Sequence, residues 1–366
     1  MKPLVISLVS FIAFCHSPIQ ATESKDAPDP AVIQHVVAVK EVCAWPNLTL
    51  LRDGTIIAIF HNRPSHGQQE ADIDCYASTD GIEWTKRSTI TQHDPDTIRM
   101  NHAAGLAANG DLVVLCSGWT DIKQTERPKQ DAFRDAVIRS WVLRSSDGGK
   151  TWDKREQFPA PESGWCEYIP FGDIWAGEDG ALHVSCYHGK FKDPTQSFKT
   201  DGWRSWHLKS LDDGKTWETV SVIGERHNET ALFYLGGKDW LAAARIDKME
   251  LIRSSDNGLT WEQPVPVTKR NEINGQIIRL KDNRLLLAYG VRVDGGRGVC
   301  AKFSKDEGKT WGTPVRLART IDGGDCGYPS SVQLPSGKIA TAWYSKESPQ
   351  HTGYHMGVSV WEAPEK

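Results

Sequence analysis

Short apolar runs alternate with short polar breaks along this chain, and the breaks have a fixed chemistry. Six times an apolar run, a turn-forming pair and a second apolar run follow one another. The copies are 46–60 around Asp53-Gly54, 102–117 around Asn109-Gly110, 172–187 around Asp179-Gly180, 229–245 around Gly236-Gly237, 275–290 around Asp282-Asn283 and 329–344 around Ser336-Gly337. Such pairs supply the turn geometry of tight hairpins, so each copy predicts two antiparallel strands. A second signal runs between them: STDGIEW at 78–84, SSDGGKTW at 145–152, SLDDGKTW at 210–217, SSDNGLTW at 254–261 and SKDEGKTW at 304–311. Each follows an apolar run such as 138–143, so each joins two further strands. The Asp side chain closes the turn on backbone N–H groups, the Gly supplies a positive φ, and the Trp buries a large ring between neighbouring units. These carboxylates are therefore read as structural.

A hairpin, a third strand, this turn and a fourth strand make a four-stranded antiparallel blade. Five units are complete in this sense, and the sixth lacks the turn motif. The run at 32–42 can supply its missing outer strand, closing a ring by pairing the two ends of the chain. The predicted fold is all-β: a six-bladed β-propeller of four-stranded blades, with almost no helix. It is expected to occupy 32–366 as a single domain, after a short linker at 22–31.

Residues 1–21 read as a signal peptide: Lys2, an apolar run from Leu4 to Cys15 too short to span a bilayer, then small residues. Export, to the periplasm or outside the cell, is the expectation, with no membrane span in the mature chain. With 43 basic and 47 acidic residues there is no basic patch, which argues against nucleic acid as a partner. Seven Cys remain after the leader, an odd number, and no C-x-x-C occurs; Cys75, Cys116, Cys186 and Cys300 lie in strand-like runs and read as buried apolar residues. No metal or cofactor is expected.

The meander decides which residues can meet. Hairpin turns and S-x-D-x-G-x-T-W turns share one rim; residues before the first strand and after the second share the other. The long connections at 118–135 and 188–204 also lie on that second rim, where function is expected. It would gather Trp45, Asn47, Arg63, His66, Glu70, Arg99, Asn101, His102, Asp173, Glu229, Arg245, Asn274, Gln276, Arg292, Arg297 and Tyr328. Such a centre suits an anionic sugar.

The turn motif is the Asp-box, and the chain resembles the sialidase-like Asp-box propellers in architecture throughout 32–366. Three segments resemble sialidase functional segments: HNETALFYLGGKDWLAAAR from His227, GGRGVCAKFSKDEGKTW from Gly295 and GYPSSVQLPSGKIATAWY from Gly327. The resemblance implies a nucleophilic Tyr328, Glu229 as its base, and Arg245 and Arg297 as grips on a substrate carboxylate. A neutral tyrosine suits an anomeric carbon that already bears a carboxylate, which would repel an anionic nucleophile. Two family features are missing. The first arginine is replaced by the stretch Cys43-Ala44-Trp45-Pro46-Asn47, and the acid Asp of the first-blade loop falls near Gln68, leaving His66 or Glu70 to replace it. Arg99, Asn101, His102 and Asp173 complete the candidate substrate-binding set. The leading expectation is a secreted glycoside hydrolase acting on a terminal acidic sugar of a glycan. A polysaccharide lyase using His66, His102, Tyr187 or Tyr328 on a uronate remains open, as does a sugar-binding propeller without catalysis.

Overall fold

The computed structural model describes residues 24–121, 133, 135–192, 200–321 and 323–365. The expected signal peptide at 1–21 lies outside them. Six antiparallel meanders surround a central channel. Their first strands are Asn47–Leu50, Thr97–Leu106, Ile169–Ala176, Ala231–Gly236, Glu272–Arg279 and Cys326–Gln333. Each touches the next, and the last touches the first. The second strands are covered on both faces, which is why Ile56–His61 and Leu285–Val291 are near-continuous apolar runs, buried along their whole length. Outer strands such as Thr85–Thr89 and Asp153–Arg155 are largely exposed and polar.

Closure follows the sequence expectation. Strand Ile33–Lys40 pairs antiparallel with His351–Trp361, from Ile33 opposite Trp361 to Lys40 opposite His355. Blades two and three are also joined by a short parallel ladder, Ala103 to Gly105 against Gly172 to Ile174, so their strands form one eight-stranded sheet. Gly105 permits that approach, because a Cβ there would lie 2.2 Å from the Ile174 carbonyl oxygen. The core is divided between blades. Trp240, Trp343 and Trp361 are among its largest fully buried side chains, and truncating such a ring costs about 3–5 kcal/mol.

The Asp-box carboxylates are consumed by their turns. Asp147 Oδ1 accepts the Lys150 and Thr151 N–H groups at 3.0 Å each, and Oδ2 accepts the Thr151 hydroxyl at 2.7 Å. Equivalent bonds from Thr260 and Thr310 hold the Asp256 and Asp306 carboxyls down at about 2. The indole N–H of Trp152 reaches back to Ser88 Oγ of the preceding blade at 3.0 Å, so the motif also staples blades together.

Residues ahead of the ring pack on blade five. Ser24 Oγ lies 2.8 Å from Tyr289 OH, and the Arg316 backbone N–H donates to the Pro28 carbonyl at 2.7 Å. The 3-10 turn Ser24–Asp26 is the only helical element among the described residues, and no described helix is long and apolar enough to cross a membrane. All seven described cysteines are buried.

Candidate active site

Two cavities open at the two ends of the channel, and Asp173 and Gln276 form a floor common to both. The one opposite the Asp-boxes draws on every blade: Trp45 and Asn47, Asn101 and His102, Phe171 and Asp173, Glu229, Asn274 and Gln276, Tyr328 and Ser330. Local backbone irregularity aims these residues. The first strands of blades two, three, five and six break register between Arg99 and His102, Phe171 and Trp175, Ile273 and Gln276, and Gly327 and Ser330. Such bulges redirect side chains next to functional sites. Asn274 and Tyr328 sit at φ values of 61° and 50° inside two of these breaks.

The centre is a tyrosine–carboxylate–guanidinium cluster. Tyr328 OH donates to Glu229 Oε1 at 2.5 Å, while Asn274 Nδ2 donates to Oε2 at 2.6 Å. The Arg245 guanidinium pairs with Glu229 Oε2, and its Nη1 also lies 3.2 Å from Tyr328 OH. Burial, then the Glu229 charge, pushes the Tyr328 phenol well above its ordinary range, against Arg245 and Arg292. The resting group is therefore a phenol held against a base. Two polar atoms here, Arg245 Nε and Asn274 Oδ1, are buried with no hydrogen-bond partner among the described residues. Unsatisfied buried groups are rare and commonly meet a ligand or water.

A second cluster adjoins the first. Asp325, just ahead of the first strand of blade six, accepts from Tyr344 OH at 2.7 Å and Arg292 Nη2 at 3.3 Å on Oδ1. On Oδ2 it meets His66 Nδ1 at 2.5 Å and Tyr354 OH at 3.4 Å. The Arg292 guanidinium lies 5.8 Å from the centre of the Tyr328 ring. Cys43, His66 and Asp325 present donor atoms within 4.8 Å of one another, a set a metal could use. The same carboxylate already carries the Arg292 cation, which opposes a second positive charge. At the floor, Asp173 accepts from Asn47 Nδ2 and Gln276 Nε2 at 2.8 Å each, and burial outweighs both bonds and raises its carboxyl to about 6.

The sequence-derived candidates separate accordingly. Glu229, Arg245 and Tyr328 meet, with His66, Asn101 and Asp173 in the pocket lining. His102 also lines it, but its ring nitrogens face the Met100 and Ile59 carbonyls at 3.0 Å each, so it serves the wall. Arg99 does not take the missing arginine's place: its guanidinium lies 3.5 Å over the Trp141 ring and donates to the Arg139 carbonyl. Glu70 does not replace the acid: it is exposed and accepts the Asp96 N–H at 2.9 Å. Arg297 is engaged by Asp294 Oδ1 at 2.9 Å and the Gly324 carbonyl at 3.1 Å, while Arg292 is the blade-five cation beside Tyr328. Asp325, Tyr344 and Tyr354 were not singled out from sequence. Asp325 had a usable signal, since it is a polar residue at the entry to a first strand.

The model of the BNR repeat-like domain matches residues 54–341, well over half the chain. The chain belongs to the BNR repeat-like family. Two curated proteins that it resembles in sequence are sialidases. The sialidase of Micromonospora viridifaciens is 23% identical over 363 residues, covering 88% of this chain and 54% of that protein. The chain spans about half the length, or less, of the curated sialidases it matches. Among solved structures, a protein of unknown function from Dyadobacter fermentans DSM 18053 superposes with a TM-score of 0.75 at 22% identity, covering 91% of this chain and 99% of that one. Trypanosoma rangeli sialidase with 2,3-difluorosialic acid, described as a covalent intermediate, gives 0.65 at 15% identity over 93% and 58% of the two chains. This BNR repeat-like chain is thus a divergent relative of the sialidases. At these identities the superpositions establish the fold.

Proposed function

We propose that the chain is a retaining glycoside hydrolase that removes a terminal acidic sugar, of the sialic acid class, from glycans, with Tyr328 as nucleophile. The observation that carries this is the 2.5 Å hydrogen bond from Tyr328 OH to Glu229, inside a pocket with Arg245 on the same pair of atoms. A phenol whose ionisation is opposed by burial cannot wait as phenolate, so attack and proton transfer to Glu229 occur together. The phenolic oxygen bonds the anomeric carbon, the glycosidic C–O bond breaks, and His66 protonates the departing oxygen. Water, giving a proton back to His66, then releases the sugar; Glu229 returns its proton to Tyr328. Arg245 Nε, with no partner of its own among the described residues, is the donor we assign to the substrate carboxylate, and Arg292 adds positive potential nearby. The lyase alternative loses its blade-two base, since both His102 nitrogens are occupied by carbonyls. The N-terminal apolar run supports action on glycans outside the cytoplasm.

The test uses 2,3-difluorosialic acid, the compound found as a covalent intermediate in the trypanosomal enzyme. Intact-mass measurement should show one adduct, with peptide mapping placing it on Tyr328. Tyr328→Phe should abolish both the adduct and turnover of a fluorogenic sialoside. Wild-type protein that neither labels nor turns over sialosides would overturn the proposal.

A further inference from the structure

On the hydrolase reading the loop at 62–72 of blade one supplies the proton for the departing sugar oxygen, and of its two carboxylates Asp72 is taken up by Thr91 and His93. Glu70 is occupied by the Asp96 N–H, while His66 lines the pocket with its ring edge-on to Trp45, centres 4.9 Å apart. We propose that Asp325 positions His66 as the proton donor and acceptor of this site, a carboxylate–imidazole pair doing the work of a single acid. This rests on the hydrolase reading above.

The geometry of Asp325 supports it. Two residues 259 positions apart meet at Nδ1 to Oδ2, 2.5 Å. The carboxylate is locked from the far side by Tyr344 and Arg292 and from its own by Tyr354. An ordinary surface ion pair needs no such holder and contributes little. Burial works to raise the Asp325 carboxyl, but His66, Arg292 and Tyr344 outweigh it and hold it below its ordinary value. It is therefore an acceptor only, and His66 Nδ1 must carry a hydrogen. That assigns the exchangeable proton to Nε2, the nitrogen left to face the pocket. Among the described residues, charged and titratable groups facing the ring include Asp325 and Cys43 and, through Asp325, Arg292, Tyr344 and Tyr354. In the first half-reaction the Nε2 proton passes to the departing oxygen as the C–O bond breaks. In the second, Nε2 takes a proton from the water that attacks the anomeric carbon, which restores the imidazolium.

Asp325→Asn inverts this arrangement. Arg292 can only donate, so the Asn oxygen turns to it and the NH2 faces His66, forcing Nδ1 to accept. Long-range proton–nitrogen spectra, with His66→Gln for assignment, should show neutral His66 protonated on Nδ1 in the wild type and on Nε2 in Asp325→Asn. Turnover of sialyllactose should fall by about 10²–10⁴-fold in Asp325→Asn. The loss on an aryl sialoside, whose leaving group needs little protonation, should be at least about tenfold smaller. Asp325→Glu should recover part of the loss. If Asp325→Asn does not fold, His66→Asn, which leaves the Asp325–Arg292–Tyr344 contacts, carries the leaving-group comparison. Wild-type His66 unprotonated on Nδ1, or equal losses on both substrates, would overturn the pairing. A wild type inactive on both substrates would sink the hydrolase reading, and the tautomer alone would then decide the pairing.

Discussion

The floor of the pocket gives a quantitative test of the burial argument. Asp173 lies between the two cavities with Asn47 Nδ2 on one oxygen and Gln276 Nε2 on the other. Neither amide is free to turn around. Asn47 Nδ2 also donates to the Gly172 carbonyl at 3.0 Å, and Gln276 Oε1 accepts the Ser331 N–H at 2.5 Å. Burial still dominates and lifts the carboxyl from 3.8 to about 6. The folded protein thus binds this proton more tightly than the unfolded chain does. The stability it contributes is complete below pH 3.8 and is lost as pH rises through about 6. A shift of about two units corresponds to about 3 kcal/mol. Asp173→Asn removes the titration while resembling the protonated acid in shape and charge. Urea unfolding of both proteins from pH 4 to pH 7 isolates the contribution, because other titrating groups cancel in the difference. The wild type should lose about 2 kcal/mol relative to the variant across that range, the rest of the shift lying below pH 4. A difference that stays flat, or moves the other way, would refute the claim that burial outweighs the two amide bonds.

Other consequences follow from single contacts. Arg245→Met leaves Glu229 charged and buried, so unfolding experiments should show a loss of roughly 3–5 kcal/mol along with loss of sialoside turnover. Arg99→Ala removes the guanidinium from the Trp141 ring, so the melting temperature should fall while KM for any accepted glycoside holds. Burial pushes the thiols of Cys75, Cys116 and Cys300 up to about 12, so a thiol reagent at neutral pH should label them only after denaturation. Depressed Asp-box carboxyls contribute stability above the usual carboxylate range and lose it on acidification. Asp306→Ala should therefore lower the melting temperature at pH 7 by more than at pH 2, as scanning calorimetry would show.

The blades were legible because their signals are local. A turn pair between apolar runs, or S-x-D-x-G-x-T-W, specifies two strands without reference to anything distant, and counting strands was enough to give the closure by Ile33–Lys40. The site was legible only in part. Glu229, Arg245 and Tyr328 lie at strand ends on one rim and do converge. Arg99 and His102 occupy equivalent sequence positions but are taken up by Trp141 and by backbone carbonyls. What separates them is the direction a bulge gives a side chain, which depends on register with the neighbouring strand. His66 and Glu70 are four residues apart in one loop, and only the fold sends one to Asp325 and the other to Asp96.

Backbone conformation marks the same boundary. Trp45, Asn274 and Tyr328 all line the pocket, and all hold positive φ, at 43°, 61° and 50°. Asn tolerates that region, but for Trp and Tyr it costs on the order of 1 kcal/mol or more. No composition rule would place an aromatic residue there. The surrounding sheet must over-determine the conformation, and it does so where the ring is needed in the channel: Trp45 beside His66, and Tyr328 against Glu229. A glycine would relieve the strain at either position and would lose the side chain that strain delivers. The departures from local preference therefore coincide with the candidate site, and they are the part of it that a reading of strands and turns cannot reach.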